Sequence, residues 1–215
     1  MIEIQQFTFG PLQENTFLLI NGKKECIIID PGCYFQDERK ELLQYIQTHG
    51  LNVIRLLNTH CHFDHIFGNK LVSDTYKVRP EFHELEQPVL DNSQKAAAMY
   101  NIPFEPSPMA GRYLLEGETI PFGTDELTVL LTPGHSPGSV AFYCAGQHFV
   151  IGGDVLFYQS IGRTDLPGGN HSTLLQSIRE KLFVLPDEVR VFPGHGPATT
   201  IGFEKKHNPF LGITN

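Results

Sequence analysis

Seven side chains of the kinds that hold metal ions sit in four short stretches, and each stretch directly follows an apolar run. They are His60, His62, Asp64 and His65 in Thr59-His60-Cys61-His62-Phe63-Asp64-His65, His135 in Pro133-Gly134-His135, Asp154 in Gly152-Gly153-Asp154, and His195 in Pro193-Gly194-His195. Imidazoles mixed with carboxylates suit zinc, iron or manganese. Seven ligands are too many for one tetrahedral ion and about right for two, which makes two-metal hydrolysis the first chemistry to consider. In extended backbone, residues two apart point the same way, so His60, His62 and Asp64 can converge while Cys61 and Phe63 turn aside. A turn after Asp64 would swing the His65 ring back toward them. The plainer alternative is a structural zinc site, but such sites favour a closed four-ligand shell rich in cysteine. The isolated histidines His49, His83, His148, His171 and His207 read as surface or packing residues.

Strands and helices must deliver these residues to one place. Residues 2–9, 15–20 and 25–30 are apolar, β-branched or alternating, with Gly10-Pro11 and Asn21-Gly22 as turns between them, and read as strands. Residues 37–49 carry apolar side chains at helical spacing, and Gly50 is a natural stop. A buried strand over 51–59 leads into the first ligand stretch, and 66–74 reads as a short helix behind it. The pattern predicts a helix over 81–100, broken by Pro88, and a proline-rich loop over 102–110. Strands follow at 118–120, 126–132, 139–145 and 147–151. Ser172 or Thr173 can cap a helix running to residue 185, and 190–192 is a last strand. The order implies two βα-rich halves, each a sheet with helices outside. Val129 to His135 and Val189 to His195 share one form: apolar strand, Pro-Gly turn, histidine. In layered α/β proteins ligands gather beyond strand ends, so four such segments imply one site at an edge of the sheets.

With 215 residues, 40% of them hydrophobic, the chain can bury a full core, most simply as one domain. The formal charge of −8 argues against a general nucleic-acid or anionic-membrane surface. No basic leader precedes an apolar stretch at the start, and no run is long enough to span a bilayer. Cys26, Cys33, Cys61 and Cys144 form no CxxC pair, which reads as four reduced thiols in the cytoplasm.

His60-x-His62-x-Asp64-His65, with His135, Asp154 and His195 downstream, resembles the metallo-β-lactamase superfamily over nearly the whole chain. The resemblance implies an α/β fold of αββα type, a four-layer sandwich. It implies that His60, His62 and His135 hold one metal, that Asp64, His65 and His195 hold a second, and that Asp154 bridges them. Asp64 and Asp154 are then the candidate catalytic carboxylates. The best-known β-lactamase class has cysteine where this chain has Asp154, a departure that favours the glyoxalase II branch over antibiotic hydrolysis. Gly153-Asp154-Val155-Leu156-Phe157, Ser160 to Gly169 and the tail from Gly194 to Gly202 are similar to short bacterial glyoxalase II-like (hydroxyacylglutathione hydrolase-like) enzymes. That likeness implies hydrolysis of a small-molecule thioester, with S-D-lactoylglutathione as reference substrate and two divalent ions, zinc first, with iron or manganese as alternatives. Two cations lower the pKa of a shared water toward neutrality and polarise the thioester carbonyl. Two-domain glyoxalase II enzymes add a helical domain that grips glutathione. Only twenty residues follow His195, so a single domain over residues 1–215 and a weak hold on glutathione are expected.

Three readings remain open on the sequence alone. Persulfide dioxygenases share the fold, the histidine motif and a Gly-Arg-Thr-Asp stretch, and are understood to use one Fe(II), which here would fall to His60, His135 and Asp154. A metal-containing binding module without catalysis, or a nuclease or phosphodiesterase of the same fold, are the others. Around the site, Cys61 reads as a packing or supporting residue, and Asp30 either orients a ligand histidine or caps a turn. Arg163 either pairs with Asp165 or meets a substrate carboxylate. Asn15 and Thr16 read as sheet or turn residues, and residues 81–111 either wall the pocket with Tyr100, Phe104 and Met109 or simply pack.

Overall fold

The protein is described by a computed structural model covering residues 1–211. Its first half forms a six-stranded sheet in spatial order β1 to β6: β1 (Glu3–Phe9), β2 (Glu14–Ile20), β3 (Glu25–Ile29), β4 (Asn52–Leu57), β5 (Pro80–His83) and β6 (Arg112–Leu114). Helices α1 (Gln36–Thr48), α2 (Asn69–Tyr76) and α3 (Gln87–Met99) belong to this half. The second half forms another six-stranded sheet from β7 (Thr119–Phe122), β8 (Asp125–Leu131), β9 (Val140–Cys144), β10 (Phe149–Gly153), β13 (Arg190–Pro193) and β14 (Thr199–Thr200). Its order is β14-β13-β10-β9-β8-β7. A small hairpin, β11 (Leu156–Phe157) with β12 (Ser160–Ile161), and helices α4 (His171–Ser177) and α5 (Ile201–His207) complete it.

Period-two alternation explains the layering. In β2 and β3, Phe17, Leu19, Ile27 and Ile29 face Val129, Phe142, Phe149 and Ile151 of the other sheet, in one core between the sheets. The intervening Leu18, Ile20, Cys26 and Ile28 face outward under Leu42 and Ile46 of α1 and Val72 of α2. On the far side, Leu174, Ile178 and Ile201 cover Ala141, Val150 and Val191. The chain is thus the expected αββα sandwich, helices outside and two sheets within. No helix among the described residues is long and apolar enough to cross a membrane.

Several expected elements differ. Residues 81–83 extend as β5 beside β4, with Leu56 opposite Pro80 and Leu57 opposite Glu81, and Phe82 is fully buried. The helix begins only at Gln87, and Pro88 lies in its first turn, where a missing N–H costs nothing; it starts the helix rather than breaking it. The helix expected over 66–74 begins at Asn69, because residues 66–68 still belong to the ligand loop. Asn170, rather than Ser172 or Thr173, caps α4: its Oδ1 accepts from the Thr173 N–H at 3.0 Å. That helix continues as a π-helical turn, Ile178–Leu182. Residues 145–147 form a 3₁₀ turn, so the strand expected from 147 starts at Phe149. Beyond expectation are β6, the β11–β12 hairpin and α5, whose first turn is capped by Thr200.

Candidate metal centre

The four ligand stretches leave β4, β8, β10 and β13 at one edge of the two sheets and meet there. After β4 the chain bends at Thr59, is extended at His62 and then tightens into a 3₁₀ turn, Phe63–His65, which returns the His65 ring to the site. Gly194 is needed for closeness: a Cβ there would collide with Asp154 Oδ1. Gly134 has φ of 131°, in a region that favours glycine, and its α face lies against the Leu174 backbone.

All seven expected residues converge. His135 Nε2 lies 2.9 Å from His62 Nδ1 and 3.2 Å from His60 Nε2, which defines one group of three. Asp64, His65 and His195 form a second: Asp64 Oδ2 is 3.3 Å from His195 Nε2 and 3.9 Å from His65 Nε2. Asp154 stands between them, with Oδ1 3.5 Å from His65 Nε2 and Oδ2 3.6 Å from His135 Nε2 and 3.5 Å from His195 Nε2.

Hydrogen bonding on the outer side of four of the rings, those of His60, His135, His65 and His195, fixes what points inward. The Thr59 hydroxyl donates its one proton to Asp30 Oδ2 at 2.5 Å, so toward His60 Nδ1, 3.1 Å away, it can only accept. His135 Nδ1 faces the Arg163 carbonyl at 2.8 Å, and His65 Nδ1 faces Asp30 Oδ2 at 3.1 Å. His195 Nδ1 lies 3.1 Å from each of the Leu12 and Gln13 carbonyls. Each outer nitrogen must therefore donate, which leaves each neutral ring with a bare Nε2 aimed at the cluster. Bare lone pairs 3.2 Å apart, as at His60 and His135, repel unless a cation lies between them. Buried His65 Nε2 and Asp154 Oδ1 have no hydrogen-bond partner among the described residues. The donor set fits divalent cations on these grounds, and outer-side partners of this kind are what metal-ligating histidines carry.

The electrostatics separate the two groups. Burial, reinforced by neighbouring imidazoles, holds His60 well below the usual histidine range and His62 down to about 3. For His65 and His195 burial also opposes the charge, but Asp154 and Asp64 outweigh it and raise both. Burial opposes ionisation of Asp64 and Asp154 too, and His65 together with the other imidazoles around them outweighs it, so both carboxyls sit low.

Asp30 takes the orienting role: besides His65 it accepts from the Thr59 N–H at 2.7 Å, and its φ of 49° is unusual for a residue with a side chain. Asn15 does more than close a sheet. Its side-chain amide donates to the Pro193 and Gly196 carbonyls at 3.0 and 2.8 Å and so clamps the His195 turn. Cys61 is fully buried among Ile66, Phe82 and Leu90, away from the cluster, and burial pushes its thiol up. All four cysteines are free and buried. Arg163 pairs bidentately with Asp165, at 2.7 Å on both contacts. Phe63, next to Asp64 in the chain, has its ring 5.7 Å from that of Tyr100, and Phe104 packs on Phe67 at 5.3 Å, whereas Met109 is exposed. A groove of about 660 Å³ lined by Tyr34, Phe35, Arg39 and Phe104 shares no residue with the seven.

Two buried acids went unread in the sequence. Glu14 points Oε1 toward His65 Nδ1 at 3.8 Å, without a hydrogen-bond partner among the described residues, and burial raises its carboxyl well above the usual range. Glu86 holds the loops of His60–His62 and His135. Neither sits at ligand spacing, and Glu86 lay within a presumed helix.

Residues 9–195 match the metallo-β-lactamase superfamily. The chain belongs to this superfamily. It is 42% identical over 204 residues to the probable metallo-hydrolase YqgX of Bacillus subtilis, covering 94% of each chain. It is 35% identical over 201 residues to hydroxyacylglutathione hydrolase GloC of Haemophilus influenzae, covering 93% of each. Among solved structures it is similar to BLEG-1, a B3 metallo-β-lactamase, at TM-score 0.90 and 40% identity, covering 97% of this chain and 99% of that one. It is also similar to TTHA1623 in a di-iron-bound form, at TM-score 0.88 and 41% identity, covering 96% and 100%. With its His and Asp clusters, this superfamily member is a metal-dependent hydrolase.

Proposed function

We propose that this superfamily member hydrolyses thioesters in the manner of glyoxalase II, acting on S-D-lactoylglutathione or a related small acyl thioester. The observation that carries the reading is Asp154 standing between two three-residue groups in which His60, His135, His65 and His195 turn bare nitrogens inward. In this reading His60, His62 and His135 hold one divalent ion, Asp64, His65 and His195 hold the other, and Asp154 touches both. Zinc is the first choice, and the nitrogen and oxygen donors serve iron or manganese as well. Bound there, two such ions supply a water that ionises near neutral pH and an electrophile for a carbonyl oxygen.

The chain's own residues do the rest. Asp154 fixes the spacing of the two groups. Asp64, kept anionic by His65 and His195, can accept a hydrogen bond from that water and so orient it. Phe63 and Tyr100 offer an aromatic wall for an acyl chain. A thiolate leaves readily, so no separate acid is required. Arg163 is already engaged by Asp165, which leaves little free charge for the carboxylates of glutathione. Weak ground-state contacts raise KM more than they lower kcat. The name of the Haemophilus influenzae relative supports a hydroxyacylglutathione substrate. The likeness to BLEG-1 favours a second reading, β-lactam hydrolysis.

The test is steady-state kinetics on lactoylglutathione, a non-glutathione acyl thioester and a chromogenic cephalosporin. Thioester turnover with high KM and broad acyl tolerance is expected. Cephalosporin turnover without thioester hydrolysis would replace the first reading by the second.

A further inference from the structure

Glu86 is fully buried and immediately precedes α3, yet its side chain makes no hydrogen bond to that helix. Instead its carboxylate accepts from the Cys61 N–H at 2.8 Å, the Ser136 hydroxyl at 2.5 Å and the Gly138 N–H at 2.7 Å. Cys61 lies between His60 and His62, and Ser136 follows His135. One buried acid therefore ties together the two loops whose imidazoles form the first group of three. The fit is close on the other side as well: a Cβ on Gly138 would stand 2.9 Å from the Glu86 backbone nitrogen. Two amides and a hydroxyl converging on one side chain call for a group that only accepts, which an ionised carboxylate is and a carboxamide is not.

We propose that Glu86 is a positioning residue that sets the distance between the His60–His62 loop and the His135 loop, and thereby the affinity of that three-imidazole group for its ion. The proposal rests on the two-metal reading above. It separates Glu86 from a general packing role, because its hydrogen bonds go to groups beside His60, His62 and His135, whereas His65 and His195 are oriented by Asp30 and by the Leu12 and Gln13 carbonyls.

The experiment compares the full chain with Glu86→Gln, Glu86→Ala and Ser136→Ala, by zinc stoichiometry, chelator-competition titration, thermal melting and hydrogen exchange. The wild type should hold two zinc ions and protect the Cys61 and Gly138 amides. Glu86→Gln should keep one ion at native affinity and bind the other roughly 10- to 100-fold more weakly. Both amides should exchange faster, and melting should stay cooperative. Adding Asp64→Ala to Glu86→Gln should remove the remaining tight ion. Ser136→Ala, which deletes one of the three hydrogen bonds, should weaken the same ion less. If Glu86→Ala does not fold, the Gln and Ser136 variants decide. Two ions at wild-type affinity in Glu86→Gln, or equal weakening of both, overturns the proposal. Fewer than two ions in the wild type overturns the two-metal reading itself, and Glu86 with it.

Discussion

Four of the seven clustered side chains come from one loop in the first half, residues 60–65, and a buried network of other side chains holds them. Asp30 and Thr59 orient His65 and His60, and Glu86 fixes the loop from behind. In the second half, His135, Asp154 and His195 arrive singly on separate strand ends, and main-chain carbonyls of Arg163, Leu12 and Gln13 orient the two rings. The burial differs as well: the His65 side chain is fully buried, whereas that of His195 is 27% exposed. A support made of side chains can be removed by one substitution. A support made of backbone cannot. The first half should therefore be sensitive at residues that never touch an ion, and in the second half such sensitivity should be confined to Asn15, which clamps the His195 turn, and Glu86, which holds the His135 loop.

Asp154 is the side chain both groups share, so its loss should be largest. Asp154→Ala is expected to release both ions and lower turnover on the order of a thousandfold or more, with the fold retained. Circular dichroism, metal content and kinetics check this, and two retained ions with normal turnover would break the comparison at its centre. Next comes Asp30→Asn, which keeps the shape and tolerates the positive φ but removes the charge behind His65. Metal affinity should fall roughly 10- to 100-fold, measured by competition titration.

A third contrast lies in pH. His60 and His62 are proton-free at neutrality, so an ion meeting them displaces few protons. His65 and His195 hold protons more firmly and must surrender them. Affinity should thus rise more steeply with pH at the second group than at the first, by titration between about pH 6 and 8. In metal-free protein the signs oppose. The depressed pair loses stability as pH falls from the ordinary value of 6.5 toward about 3, because only the unfolded chain takes up the protons. The raised pair contributes stability below about 6.5 and loses it as pH climbs through its raised values. Equal slopes for the two ions would erase the distinction.

The smallest effects test the supports that should not matter. Cys61→Ala removes a buried thiol that faces away from the cluster; it should cost about 1 kcal/mol of stability and leave most activity. A loss as large as that from His62→Ala would assign it a direct role. Arg163→Ala leaves the carbonyl that orients His135 in place, so metal content should not change. A lost ion there would show that His135 leans on the Arg163 side chain as well as on its carbonyl.

The clustered residues were legible because metal chemistry demands a few residue types at strand ends, and Pro-Gly-His and Gly-Gly-Asp turns mark such ends. Two sheet-and-helix halves were legible through the apolar runs of β2 and β3 and the helical spacing of α1, and the sandwich itself through the family resemblance of the ligand motif. Other features left no local mark. Glu86 earns its position from donors 25 and 52 residues away, and Glu14 is defined only by its neighbour His65. Strand β5 is four residues long and runs into a helix, so its alternation was absorbed into the helical pattern. The short α5, with Gly202 in its first turn, offered little periodicity, although Thr200 is a recognisable cap.

The central claim is two neighbouring ion positions sharing Asp154. Anomalous diffraction from crystals of the native protein at the edge of its metal tests it most directly. Two peaks are predicted, about 3.5 Å apart. One should lie within bonding distance of His60, His62 and His135, the other of Asp64, His65 and His195, with Asp154 reaching both. A single peak, or two peaks that Asp154 does not join, would contradict the account.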